Sequence, residues 1–376
     1  MALNWIVLTH GSENLMTKAD IPLKTERLHT VAPYIGKMRP EIAGWAIDTV
    51  SKPGELVYDP FCGSGTVLLE AWLKGRDTIG TDLNPYACLV SRAKLNPYEP
   101  NNSERVHVLL DKYSAFVEKI KPTIDLDEIP VWVKDFYNPQ TLIELLAWVA
   151  VLKNNNDEFA LACLLSIAHH QRPGFLSYPS SHTVPYLRTK KFPPHDFPEL
   201  YEYRQVRPRL EKKIFRVYNS LPSIDYSLSR TVYQQDASTL ELPRKVDAII
   251  TSPPYMGQLD YARDNRLRLY LMGVEDWSSL NKSISPSATR FVEQFSSCLN
   301  SWRKNLRHGG KLAIFVGTTT NTTKKRLDDI VIDLINNEWP DYELTDKISS
   351  EIPEARRARK NCKGSVAESL LIFEYK

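Results

Sequence analysis

The sequence predicts an α/β fold built on a doubly wound parallel sheet, and three observations carry that prediction. A short apolar run at 56–58 breaks into a glycine-containing loop at 59–66, then a helical stretch, then a second apolar run ending in Asp82. Strand-like segments return late in the chain, at 231–237 (TVYQQDA), 246–252 (VDAIITS) and 311–318 (KLAIFVGT). The final segment, SLLIFEYK, alternates like an antiparallel strand that closes the sheet.

The elements follow in order. Residues 40–50, PEIAGWAIDTV, place apolar side chains at helical spacing behind a proline suited to a first helical turn. The helix VLLEAWLKG stops at Gly75, and PYACLVSRAKL opens another helix behind Pro85. Between 100 and 230 the character changes. LIELLAWVAVL and EFALACLLSIAHH read as helices, whereas 171–208 is rich in proline, histidine, tyrosine and basic residues with little periodicity. Helical patterns recur at 288–306 and 325–336. The expected organisation is one discontinuous domain, 1–99 with 231–376, interrupted by an inserted region at 100–230.

Composition bounds the function classes. With 376 residues, 42% apolar and 25% charged, the chain can bury a full core. A net charge of +3 permits a nucleic-acid partner without requiring one. Five scattered cysteines with no C-x-x-C pair support neither a zinc site nor a disulfide framework, and point to a reducing compartment. The apolar run near the N-terminus is too short for a signal peptide or a spanning helix, so a cytoplasmic protein is expected, with no membrane partner. Adjacent His169 and His170 cannot share one helical face, and no metal is expected.

Three motifs carry chemistry. In DPFCGSGT, Gly63 and Gly65 permit close ligand approach, and the following helix offers unpaired N–H groups. Asp59 opens that loop, where a carboxylate can hold an ammonium group. Asp82, at the next strand end, can accept hydrogen bonds from ribose hydroxyls. An acid for an amine plus an acid for a ribose suits S-adenosylmethionine better than a dinucleotide. In QQDAS, Asp236 ends another strand and can accept from an adenine amino group. In TSPPY, Pro253 and Pro254 end the strand in a stiff loop. The Ser252 hydroxyl and Pro253 carbonyl can accept the two protons of an exocyclic amine and aim its lone pair, with Tyr255 stacking on the base.

The combination resembles the S-adenosylmethionine-dependent DNA amino-methyltransferases, and S-P-P-Y in particular resembles their cytosine-N4 branch. The matching segments are HTVAPYIGKMRPEIA (29–43), DPFCGSGT (59–66), GTDLNP (80–85), DAS, TSPPY and HGGKLAIFVG (308–317). The resemblance implies a class I, Rossmann-like methyltransferase sheet. It implies that Asp59, Phe61, Gly63, Gly65, Asp82 and Asp236 line the cofactor, with Lys37, Thr66 and Asn84 from the same segments. Ser252, Pro253, Pro254 and Tyr255 would form the catalytic loop.

No family motif covers 100–230, where the physical reading stands alone. Between Tyr186 and Arg216, nine basic residues face four acids, a local +5. Arg188, Lys190, Lys191, Arg207, Arg209, Lys212 and Lys213 are the expected phosphate contacts of a target-recognition region. Arg263 adjoins the catalytic loop, and Arg356, Arg357, Arg359 and Lys360 cluster in a loop before the last strand. The expected activity is methyl transfer to the N4 amine of a cytosine flipped from double-stranded DNA, within restriction–modification or epigenetic marking. A paired restriction endonuclease is compatible with this reading, and the oligomeric state is open. The alternatives are adenine-N6 methylation, RNA guanine-N2 methylation and a silent nucleic-acid binder. Ser252 in place of asparagine and the short stretch before the first motif weigh against RNA. The intact S-P-P-Y weighs against a silent binder.

Overall fold

The computed structural model describes residues 5–9, 12–16, 26–169, 175–181, 184–254, 260–284, 288–318, 326–351 and 367–376. Its strands are β1 (Trp5–Thr9), β2 (Ser12–Met16), β3 (Leu56–Asp59), β4 (Asp77–Asp82), β5 (Arg230–Gln234), β6 (Val246–Thr251), β7 (Leu306–Thr318), β8 (Tyr342–Glu351) and β9 (Ala367–Tyr375). Among the described residues they form one nine-stranded sheet in the order β2-β1-β8-β9-β7-β6-β3-β4-β5. Strands β3 to β7 pair in parallel, while β9 runs antiparallel between β7 and β8. This is the doubly wound sheet with an antiparallel closing strand that the sequence predicts.

Alternation along the strands explains the layers. In β3, Leu56 and Tyr58 pack into one core cluster and Val57 into another. In β7, Leu312, Ile314 and Val316 take the first side, and Ala313 and Phe315 the second. Helices cover both faces because both faces are apolar. The helices ahead of the insert are α1 (Pro40–Val50), α2 (Thr66–Leu73) and α3 (Pro85–Leu95). The insert contributes α4 (Ser103–Ile120), α5 (Val131–Lys134), α6 (Pro139–Asn154), α7 (Glu158–Ala168) and α8 (Val206–Tyr218). Beyond β6 come α9 (Tyr261–Asp264), α10 (Arg266–Leu271), α11 (Trp277–Ile284), α12 (Ala288–Asn305) and α13 (Leu327–Glu338). Helices α12 and α13 pack on one face of the central strands, and α1 and α2 on the other.

The insert enters after α3 and leaves into β5, at the far edge of the sheet from β2. Its helices share a continuous apolar core with α2 and α3. Helix α4 shows why: Val106, Leu110, Tyr113 and Val117 recur at helical spacing and are its buried residues. Helix α8 does the same with Val206, Leu210, Ile214 and Val217. Two features were not expected from the sequence, the β1–β2 hairpin that extends the sheet and strand β8. Strand β8 escapes the period-two pattern because its register with β9 shifts between Leu344 and Asp346.

Strand β4 lies so close to its neighbours that it needs a glycine at its centre. A Cβ on Gly80 would collide with Leu68 of α2 and come within 3.0 Å of the Cys62 Cβ. That contact sets the glycine loop tightly over the sheet. Gly80→Ala is expected to destabilise the chain by about 1–3 kcal/mol through overpacking, measured as a lowered midpoint of denaturant unfolding.

Candidate active site

The carboxyl ends of β3, β4, β5 and β6 meet at one edge of the sheet. Strand order reverses between β3 and β6, so the loops leaving these two strands diverge and open a crevice. A cavity of about 390 Å³ fills it, within the range of small-molecule sites. Asp59, Asp82 and Asp236 line it together with Ser252, Pro253 and Pro254. So do Lys37, Phe61, Gly63, Thr66 and Asn84.

Asp59 is 3% exposed and ends β3. Its Oδ1 accepts from the Thr251 hydroxyl at 2.7 Å and from the Phe61 N–H at 3.1 Å. Asp82 ends β4. Its Oδ2 accepts from the Gly63 N–H at 2.9 Å and its Oδ1 from the Asn84 N–H at 2.8 Å. Asp82 therefore ties the glycine loop to the start of α3. Each of these hydrogen bonds comes from a neutral donor, so neither carboxylate is neutralised by it. Burial pushes the Asp59 carboxyl up to about 7, with the Thr251 and Phe61 bonds opposing the shift. Burial likewise pushes Asp82 up to about 6, opposed by its backbone bonds. Two carboxylates held in this way fit a ligand that is cationic at one end and rich in hydroxyls.

The glycine loop supplies the cradle. Gly63 (φ 50°) and Gly65 (φ 69°) take left-handed conformations that favour glycine. The buried Ser64 and Thr66 hydroxyls have no protein partner among the described residues. Gly65 differs from its neighbours in the loop, since it is not one of the residues that line the cavity. A Cβ there would lie 2.7 Å from the Ser91 hydroxyl, so its role is close packing on α3. Asn84 caps α3, accepting from the Tyr86 N–H at 3.0 Å ahead of Pro85. Asp236 follows β5 and accepts from the Ser238 N–H and hydroxyl at 2.8 and 2.7 Å. Lys37 donates to the His29 carbonyl at 3.4 Å.

Several wall residues carry little sequence signal as site residues. Tyr34 and Tyr261 line the cavity and stack with ring centroids 6.3 Å apart, and Tyr34 stacks in turn on Tyr86. Phe291, Phe295 and Cys298 of α12 close another side at positions i, i+4 and i+7. That stripe was visible as a helix face, but nothing in it marked a site.

The basic residues divide. Lys213 requires a correction: it lies on the apolar stripe of α8, is buried, and donates to the Thr30 carbonyl at 2.6 Å. Its ammonium faces the interior rather than a phosphate. Arg207 is also engaged internally, with Ser114, Asp111 and Glu211. Arg209 donates to the Gln205 carbonyl at 2.9 Å. Lys190, Lys191 and Lys212 are exposed, and Arg188 is half-buried over the Phe192 ring. Arg263 pairs with Asp260. Tyr255, Arg356, Arg357, Arg359, Lys360 and His170 lie outside the described residues. Among the described residues, no cluster of His, Cys, Asp or Glu is arranged to hold a metal, and no helix is long and apolar enough to cross a membrane.

Comparison with known proteins agrees with this geometry. A family profile described as DNA methylase matches residues 34–93, the segment running from Tyr34 through Asp59, the glycine loop and Asp82 into α3. The Type II methyltransferase M.MjaII of Methanocaldococcus jannaschii is 22% identical over 80% of this chain and 74% of its own length. M.MvaI of Kocuria varians is 26% identical over 61% of this chain, and M.BsoBI of Geobacillus stearothermophilus 24% over 59%. The chain spans about half the length of these last two, 53% and 48%. The profile match, centred on the loops that build the cavity, and these relatives support a likeness to the N6/N4 DNA methylases.

Proposed function

We propose that this chain transfers a methyl group from S-adenosylmethionine to the exocyclic N4 amine of a cytosine flipped out of double-stranded DNA, in a sequence-specific manner. The observation that carries the reading is the single cavity shared by Asp59, Asp82, Asp236 and the Ser252–Pro254 turn. In this reading Asp59 receives the cofactor's ammonium, Asp82 the ribose hydroxyls and Asp236 the adenine amino group, and their shared cavity supports it. S-adenosylmethionine supplies an electrophilic methyl on a sulfonium. The chain's own task is placement.

An exocyclic base amine is a poor nucleophile because its lone pair is delocalised into the ring. Two acceptors on its protons draw the nitrogen towards tetrahedral geometry. Ser252 Oγ and the Pro253 carbonyl are the proposed acceptors, and the two prolines fix their separation without a backbone N–H to compete. Serine at this position favours cytosine over adenine within the family. Recognition is assigned to the insert and to the 184–192 segment. There Arg266 of α10 donates to the Pro185 carbonyl at 2.6 Å and lies over the Tyr186 ring at 5.3 Å. Arg266 follows Tyr261, a cavity residue, by five positions, which supports assigning Arg188, Lys190 and Lys191 to the recognition surface.

Labelled cofactor with separate DNA and RNA pools, followed by nucleoside identification, tests the reading. Label in N4-methylcytosine of DNA is expected, and label only in adenine or only in RNA would overturn it. Ser252→Ala is expected to lower turnover about 100-fold while cofactor affinity changes little. Equal losses in both would make the serine structural.

The pH dependence follows from Asp59. As pH falls through about 7, the ionised form that receives the ammonium is depleted. Cofactor affinity therefore declines towards acid, and binding near neutrality releases protons, read by calorimetry in buffers of different ionisation enthalpy. Stability of the unliganded chain has the opposite sign. A carboxyl raised from 3.8 favours the folded state when protonated, so its contribution declines as pH rises through about 7. For the DNA surface, replacing Lys190 and Lys191 with alanine is expected to reduce the slope of log affinity against log salt by about 1–2. Binding to a duplex probe across a salt series checks this, and an unchanged slope would remove the segment from the interface.

A further inference from the structure

Beneath the glycine loop lies a lysine that the substrate chemistry does not use. Lys94 of α3 has no solvent exposure, and its Nζ donates to the Ser64 carbonyl. One turn earlier on the same helix face, Ser91 is equally buried and its Oγ donates to the Gly63 carbonyl at 2.9 Å. Neither side chain lines the cavity. We propose that Ser91 and Lys94 are positioning residues that brace the cofactor loop from behind, holding two consecutive carbonyls turned away from the cavity.

The geometry leaves little room for another role. With the Gly63 and Ser64 carbonyls drawn towards α3 and the Gly63 N–H held by Asp82 at 2.9 Å, the peptide planes on both sides of Gly63 are fixed. Gly65 completes the arrangement, because only a residue without Cβ lets Ser91 approach to this distance. A buried ammonium is expensive unless it is hydrogen-bonded, and an apolar side chain would fill the same space without that penalty. Burial lowers the Lys94 ammonium to about 7, with the nearby Lys37 charge adding to the shift. The residue thus keeps a donor where packing alone does not ask for one.

This inference rests on the reading that the cavity receives S-adenosylmethionine, and the experiment separates the two. The full-length chain and its Lys94→Met and Ser91→Ala variants are titrated with S-adenosylhomocysteine by calorimetry. Methyl incorporation into unmodified kilobase-length DNA is followed over a range of cofactor concentrations. The brace predicts that the dissociation constant rises about ten-fold in Lys94→Met and at least three-fold in Ser91→Ala, with matching rises in the KM for cofactor. Turnover at saturating cofactor should stay within about three-fold of wild type, because the Ser252 turn is untouched. If Lys94→Met does not fold, Ser91→Ala, which removes one hydroxyl, carries the same test. Variants that bind within two-fold of wild type, or lose turnover as much as affinity, overturn the brace alone. A wild-type chain that binds no S-adenosylhomocysteine overturns the reading of the cavity and the brace with it.

Discussion

The hydrogen bond from the Thr251 hydroxyl to Asp59, 2.7 Å long and buried, joins the two strands on which the site depends. Asp59 is the last residue of β3 and Thr251 the last of β6, and these strands are neighbours where the sheet reverses its order. One partner opens the glycine loop, and the other is followed directly by Ser252 and the two prolines. The glycine loop and the Ser252 turn are therefore anchored at a single point.

The site carries several charged groups in poor solvent. Asp59 and Asp82 on one side of the glycine loop and Lys94 on the other are all shifted by burial towards their neutral forms. Such an arrangement opposes folding of the empty chain and favours the filled one. A ligand bearing positive charge would restore the carboxylates to their ordinary behaviour, and part of its binding free energy would come from that relief.

Much of this was legible in the sequence. The strand–loop–helix rhythm around residues 56–95 and the acids at strand ends need only period, glycine and proline to be read. What could not be read was partnership. Nothing local distinguishes Lys94 from a surface lysine, because its burial depends on where the glycine loop folds back. Lys213 was visible in principle, since it sits between Leu210 and Ile214 on an apolar stripe, but the density of charge around it obscured the helix. A register shift hides strand β8, and the sequence around Gly65 does not reveal that a Cβ there would meet Ser91.

The insert is continuous in sequence but not separable in substance. Its helices share their apolar core with α2 and α3, and Lys213 reaches from α8 to the Thr30 carbonyl, a few residues before the Tyr34–Met38 wall of the cavity. The proposed recognition role of the insert would make it a natural unit to exchange between relatives. Here a graft cut at 100 and 230 would sever the helical core and strip the cavity wall of a support. A workable chimaera would have to carry α3 and the segment from 26 to 38 along with the insert, because the helical core and the cavity wall are built from both.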